Sequence, residues 1–308
     1  MSSINTNIAA MTALQTLRST NSELLQTQNR ISTGLRVSSA SDNAAYWSIA
    51  TTMRNDRQSI STVSDALGLG SATAEIASKG IETAIKIASE IKDKLLAART
   101  PGVDRSKIQT EISELQDSLK AVVEGASFNG QNWLQTSSDD DSARTIVSSF
   151  SRGSDGTISI GTISVDLEST RLVDTSTGAS AGGILDAEIS MATGTGTTTV
   201  LDLDISALED TTDDLADIEA MISGVDAAIE KMTDAASTLG AVKTRIDIQK
   251  DFADSLMSAI DKGVGQLVDA DMNEESTRLQ ALQVRQQLGI QALGIANQSA
   301  QSILSLFR

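Results

Sequence analysis

The chain contains a single proline, Pro101, in 308 residues. Proline removes a backbone donor and clashes with the preceding helical turn, so almost nothing here interrupts a ladder of main-chain hydrogen bonds. Ala, Leu, Ile, Gln and Asp are abundant, which permits very long helices. Aromatic residues make up only 2% of the chain, and a large compact core draws heavily on them. An elongated shape follows as the expectation.

The apolar pattern at both ends has helical spacing. Ile4, Ile8 and Met11, then Leu17, Leu24 and Ile31, recur at intervals of three, four or seven, as do Leu288, Ala292, Ile295, Ser299, Ile303 and Leu306. Each set is one narrow seam. A helix with one stripe cannot stay dry alone, so the two ends are expected to bury their seams against each other and against neighbouring copies. Residues 44 to 99 read as one helix of about 55 residues, roughly 80 Å long, weakened locally at Gly68, Gly70 and Gly80. Pro101-Gly102 ends it, and Asp104 is placed to cap a return helix through Val123. The Asn-Gly step in Phe128-Asn-Gly-Gln-Asn-Trp133 predicts a tight turn. Asp213 and Asp214 favour the start of a helix reaching Lys262, and Gly263 and Gly265 are expected to break it before the C-terminal seam.

The chain is acidic, with 41 Asp plus Glu against 24 Lys plus Arg and a net charge of −17. The acidity is concentrated: residues 137–214 hold fifteen carboxylates and three Arg. That stretch is rich in Ser, Thr and Gly and contains alternating runs at 157–165 and 200–205, so it reads as a compact, hydrophilic, β-rich insert, with Ile158, Ile160 and Ile163 to Val165 on half-buried faces. The expected fold class is mainly α: an elongated antiparallel helical bundle or coiled coil formed by both chain ends, with a small β-rich outer insert. Five segments follow: 1–43 and 264–308 as the two halves of a terminal coiled coil, 44–136 and 213–263 as the halves of a helical core, and 137–212 as a surface-exposed acidic domain.

Composition also excludes functions. The negative charge argues against a nucleic-acid or anionic-membrane ligand. There is no His and no Cys, which removes Ser-His-Asp and Cys-His relays, the usual zinc ligand sets and any disulfide. No apolar stretch reaches the roughly 18 residues that span a bilayer. The N-terminus has no basic residue before Arg18 and no uninterrupted apolar core, so it does not read as a cleaved secretory signal.

Asn29-Arg-Ile-Ser-Thr-Gly-Leu-Arg-Val-Ser-Ser-Ala-Ser-Asp-Asn-Ala-Ala45 resembles the N-terminal signature of bacterial flagellins, and Ser127-Phe-Asn-Gly-Gln-Asn-Trp-Leu134 resembles the turn that closes their N-terminal core. Leu239-Gly-Ala-Val-Lys-Thr-Arg245, Val268-Asp-Ala-Asp-Met272 and Gln287-Leu-Gly-Ile-Gln-Ala-Leu-Gly-Ile-Ala-Asn-Gln298 match the C-terminal signature. Asp42-Asn-Ala-Ala-Tyr-Trp-Ser-Ile-Ala50 and the Leu-Phe-Arg ending look like flagellins of soil alphaproteobacteria such as rhizobia. The resemblance implies a helical homopolymer, with terminal coils lining the inner wall of a tube and the insert facing solvent. It implies export as an unfolded chain through a dedicated apparatus with an export chaperone, contacts with hook-associated and cap proteins, and an extracellular place in the filament, and it leaves open whether other flagellins co-assemble. No cofactor, nucleic acid or membrane insertion is expected. The bottom-up counterpart is coupled folding and assembly: thin stripes do not repay about 1–2 kcal/mol per residue of backbone ordering until other copies cover them.

Rival motifs carry little. Ser89-Glu-Ile-Lys92 spells Ser-x-x-Lys without its partner motifs, and Gly68-Leu-Gly-Ser-Ala-Thr73 has neither a preceding strand nor the third Gly of a dinucleotide loop. Asp139-Asp-Asp141 and the pair Asp202 and Asp204 lack the rest of an EF-hand loop. Arg30, Arg36 and Asp42 read first as packing contacts in a helix-to-helix connection. The resemblance adds that plant immune receptors read this window, and Tyr46 and Trp47 stand where a Gly-Leu pair is usual. Likewise Asp93, Lys94 and Leu95 stand where the family presents Arg-Glu-Leu to a mammalian Toll-like receptor. The charges are inverted, so weak signalling is expected. The competing functions are a hook-filament junction protein of the same family, a flagellin-scaffold enzyme whose zinc motif would need His, and a signalling coil that would need a membrane span.

Overall fold

The computed structural model describes residues 7–137, 143–153, 155–176, 182–193 and 196–306, with side chains as far as Gln298. Its contacts divide the chain into two compact units, residues 1–58 with 257–308, and residues 59–256. The mainly α expectation holds: among the described residues five long helices flank a set of strands.

In the first unit, α1 (Ile8–Thr33) begins at Asn7, whose Oδ1 accepts from the Ala10 amide at 3.0 Å, and stops at Gly34, which takes a left-handed φ of +71°. The unit also holds residues 44–58 of α2 (Ala44–Ala98), residues 257–268 of α4 (Thr212–Val268), and α5 (Met272–Leu306). Asp271 Oδ1 accepts from the amides of Asn273 and Glu274 and so caps α5, whose first turn carries Glu274 and Glu275 where the helix dipole favours them. α1 and α5 pair antiparallel. Asn7 Nδ2 donates to the Ala296 carbonyl at 2.9 Å, Gln286 Nε2 to Asn21 Oδ1 at 2.7 Å, and Arg30 pairs with Glu275 at 3.1 Å.

The expected break at Gly263 and Gly265 does not occur. α4 runs through both glycines to Val268. A helical glycine costs only about 1 kcal/mol, and this stretch is held by packing: Val264 and Val268 share a small core with Val37 and Ala50. The helix ends where residues 34–37 cross it. The Val268 carbonyl accepts from the amides of Arg36 and Val37, and Ala270 donates to the Gly34 carbonyl.

The second unit holds the rest of α2, α3 (Arg105–Gly125), α4 as far as 256, and the strands. The buried positions of α2 alternate by three and four: Ile60, Val63, Leu67, then Ala74, Ala77, Ile81, Ala84, Ala88, Ile91, Leu95, Ala98. Gly70 occupies the one gap in that series. α4 repeats the pattern from Ile218 and Met221 through Val225, Ala228, Met232, Ala235 and Leu239. This is the coiled-coil period, with small residues interleaved so that helices approach closely. Lys92 with Asp226, Arg99 with Glu219 and Lys243 with Glu75 tie α2 to α4 in antiparallel order; these exposed pairs add little each. Asp104 does precede α3, yet its side chain accepts from Ser106 Oγ instead of capping the helix. The turn is held by Arg105, whose buried guanidinium donates to the carbonyls of Ala98 and Leu208 and to Asp210 at 2.6 Å.

The strands form four two-stranded ribbons. β1 (Ser127–Phe128) and β2 (Gln131–Asn132) pair antiparallel around Asn129, φ +51°, and Gly130, φ +76°. β3 (Gln135–Thr136) runs parallel to β6 (Val173–Asp174), β4 (Ala143–Arg152) antiparallel to β5 (Ile158–Asp166), and β7 (Ile189–Ser190) antiparallel to β8 (Thr197–Thr198). Two expectations fail here. Ile163 and Val165 of β5 are buried as expected, whereas Ile158 and Ile160 are exposed, because the outer half of the β4–β5 ribbon extends past the core. Residues 200–205 do not form a strand: Val200–Asp202 is a 3-10 turn. Val200 donates to the Leu185 carbonyl, and several of the other backbone groups are met by glutamine side chains of α3. Gln116 Nε2 donates to the carbonyls of Val200 and Leu203, and Gln109 donates to Leu203 and accepts from the Ile205 amide.

The helical glycines seat this insert. A Cβ at Gly70 would stand 2.7 Å from Ile146 Cδ1, at Gly80 2.7 Å from Leu134 Cδ1, and at Gly224 2.5 Å from Ile189 Cδ1. Gly224→Ala therefore gains helix propensity but forces Ile189 from its seat. The expected net cost is about 1–3 kcal/mol, read as a lower midpoint in chemical denaturation.

Candidate self-assembly surface

The α1–α5 pair has a dry side and a second apolar line that nothing covers. The side of α1 facing α5 carries Ala10, Ala13, Leu17, Thr20, Leu24, Thr27 and Ile31, at intervals of three and four. The facing side of α5 carries Glu275, Leu279, Leu282, Gln286, Gly289, Leu293 and Ala296 with the same period. The pair packs closely, since a Cβ added to Gly289 would lie 3.3 Å from Leu17 Cδ1. The seam is nevertheless poor in buried apolar side chains. Among the described residues, only Thr20 and Thr27 of α1, and Glu275 and Leu282 of α5, are fully buried.

The other line is richer. Val284, Leu288 and Ile295 on α5 are 55%, 57% and 68% exposed, and Ile8, Met11 and Leu25 on α1 are 66%, 64% and 61% exposed. Leu288, Ala292 and Ile295 keep the four-and-three interval, one residue out of step with the seam, so they lie about 100° around α5 from it, on a flank that α1 leaves uncovered. The sequence-derived seam residues thus fall into two groups. Leu17, Leu24 and Ile31 lie against α5, while Ile8, Met11, Leu288, Ala292 and Ile295 point outward. Ile4 lies outside the described residues, as do the side chains of Ile303 and Leu306. The seam residues of α5 escape a search for large apolar side chains because Gln286 and Gly289 interrupt them.

The connection between α1 and α2 is a set of closed contacts. Arg30 is committed to Glu275, which also meets Arg278 at 3.4 Å. Arg36 donates to the Leu267 carbonyl at 2.9 Å and caps the end of α4. Asp42 Oδ2 accepts from the amides and hydroxyls of both Ser38 and Ser39. Those amides, Ser38 first, hold the Asp42 carboxyl below its usual range. A depressed folded value means that this contribution is complete above the unfolded value of about 4 and is lost as pH falls through the folded one. Loosening of residues 38–42 in acid follows, seen as faster amide exchange at Ser38 and Ser39; Asp42→Asn gives the same loosening at neutral pH. Tyr46 and Trp47 are exposed at the start of α2.

In the second unit Leu95 is wholly within the core, Lys94 pairs with Glu111, and Asp93 is exposed. A receptor meeting the folded unit at this segment would touch Asp93 and the exposed Leu96, not Leu95. Ser89 donates to the Ile85 carbonyl and Lys92 pairs with Asp226, so the two do not face one another as a catalytic pair. Asp139, Asp140 and Asp141 lie outside the described residues. No described helix is long and apolar enough to cross a membrane.

The comparisons converge on one family. The model of the bacterial flagellin N-terminal helical region matches residues 4–139, and that of the C-terminal helical region matches residues 222–307. The chain is 48% identical to flagellin C of Rhizobium meliloti strain 1021 over 323 residues, and 41% identical to flagellin A of that strain over 396 residues. It is 44% identical to a flagellin of Brucella melitensis over 309 residues. Each alignment covers 100% of both chains. The α1–α5 pair and the two heptad-bearing core helices lie almost wholly within the matched regions, and on these grounds the chain belongs to the bacterial flagellin family.

Proposed function

We infer that this chain is a structural, non-enzymatic subunit that polymerises with copies of itself into the helical filament of the bacterial flagellum, where it serves motility. The observation that carries the reading is the uncovered line of Val284, Leu288 and Ile295 on a helix pair that has little buried apolar surface of its own. A leucine moved out of water returns about 1.5–3 kcal/mol, and each ordered residue costs about 1–2 kcal/mol. The α1–α5 pair is therefore stabilised by whatever covers its outward face, and a second copy of the same pair supplies a matching apolar line. Filament growth is then templated folding. A junction protein would need the same seams but would end the tube, and nothing in the geometry favours it.

On this reading segments 1–43 and 264–308 form the inner coiled coil, 44–136 and 213–263 the core, and 137–212 the solvent-facing surface. The fifteen carboxylates of residues 137–214 support an outer place for the insert, because they keep neighbouring filaments hydrated and apart. Export through the flagellar apparatus with a chaperone, an extracellular location, co-assembly with other flagellins and contacts with hook-associated and cap proteins complete the proposal. Hydrogen exchange tests it: α1 and α5 exchange fast in monomer and slowly in seeded filaments. Equal protection of both helices in free monomer would overturn templated folding.

A further inference from the structure

We propose that Asn129 is a site of spontaneous covalent modification, where the Gly130 backbone nitrogen attacks the side-chain carboxamide and the residue becomes aspartate or isoaspartate. Attack forms a bond from Gly130 N to Asn129 Cγ and breaks the bond from Cγ to the amide nitrogen. Ammonia leaves with the proton from Gly130, and a five-membered imide remains. One water then opens the ring: at Cγ it gives aspartate, and at the main-chain carbonyl it gives isoaspartate. No oxidant, metal or enzyme is required.

Three observations single out this position. Asn129 is the only asparagine in the chain followed by glycine, and a residue without Cβ lets its nitrogen approach the carboxamide unhindered. Asn129 and Gly130 are both exposed at the tip of β1–β2, and among the described residues no hydrogen bond holds the Asn129 carboxamide. The ribbon that closes the turn is only two residue pairs long, Ser127 with Asn132 and Phe128 with Gln131, so opening it costs little.

Among the described residues the other candidates are restrained. Asn7, Asn21, Asn43 and Asn132 have their carboxamides in hydrogen bonds. Asn29, Asn55 and Asn297 sit within helices, where the following amide belongs to the ladder, and the amide after Asn273 is held by Asp271 Oδ1. Asp155-Gly156 is the comparable aspartyl step, but Asp155 Oδ1 accepts from Thr157 N and Oγ1, which keeps it ionised and a poor electrophile.

The product has a local consequence. Isoaspartate lengthens the main chain by one methylene within a two-residue turn, which breaks the pairing of Phe128 with Gln131. Beyond the turn, Asn132 donates to the Val123 carbonyl and accepts from the Leu134 and Gln135 amides. Those bonds confine the damage to the hairpin and leave Trp133 and Leu134 in the core.

The test uses the full-length native protein aged at mildly alkaline pH, with peptides followed by mass spectrometry and isoaspartate detected by enzymatic methyl transfer. Asn129 converts before any other asparagine, isoaspartate exceeds aspartate, and amide exchange at Phe128 and Gln131 rises with it. Asn129→Gln removes the product at this position. Conversion at another asparagine first, or at Asn129 only after denaturant is added, would overturn the assignment.

Discussion

Replacing Leu288 and Ile295 together by aspartate stops filament elongation from seeds while leaving the thermal transition of the second unit where it was. The two side chains are 57% and 68% exposed on the α1–α5 pair, so the packing within one chain loses little from the change. In the filament each loses about 1.5–3 kcal/mol of burial, and a carboxylate placed in an apolar interface adds desolvation to that. A loss of about 3–6 kcal/mol per added subunit raises the concentration needed for growth by about two to four powers of ten. Light scattering and negative-stain counts of seeded growth read the result. Elongation at wild-type concentrations would show that the stripe faces water in the polymer and would sink the assembly account.

Arg171→Ala has the largest expected effect on stability. Arg171 is 2% exposed and pairs at 3.2 Å with Asp174, which is fully buried, while its Nε donates to Thr136 Oγ1 at 2.9 Å. Asp174 in turn accepts from the amides of Ser176 and Gly182, and its own amide donates to Asp186. Removing the arginine leaves a buried carboxylate short of its counter-charge, at a cost of about 3–5 kcal/mol. Chemical denaturation should show the loss. Removing both charges with Arg171→Met and Asp174→Asn together should recover part of it, because the penalty comes from the orphaned charge and not from the missing pair.

The helical frame was readable in the sequence because its determinants are local. One proline, an Asn-Gly step and apolar intervals of three and four give α1, α2, α3 and the β1–β2 turn without reference to anything distant. The insert was less legible. Residues 200–205 alternate like a strand, but several of their backbone groups are met by Gln109 and Gln116, about ninety residues earlier in the chain, and no local pattern announces a side chain that takes the place of a neighbouring strand. Gly70, Gly80 and Gly224 read as weak points in helices because a sequence shows the lost propensity and not the side chain that fills the space. The proposed assembly surface was half legible. Leu288 and Ile295 stand out as large apolar residues, whereas the seam that meets α1 uses Gln286, Gly289 and Ala296, whose role depends on Leu17 and Asn7 almost three hundred residues away. Nor could spacing alone show that Arg30, Arg36 and Asp42 are all engaged within their own chain.

The three polar links between α1 and α5, at Asn7, Asn21 and Arg30, act as a length gauge. Sliding one helix along the other by a single heptad would forfeit all of them together, so intermediate alignments have no foothold. Every molecule consequently displays Leu288 and Ile295 at the same height relative to Ile8 and Met11. A lattice of thousands of copies needs such dimensional uniformity, since an error repeated at each step would accumulate along the whole length.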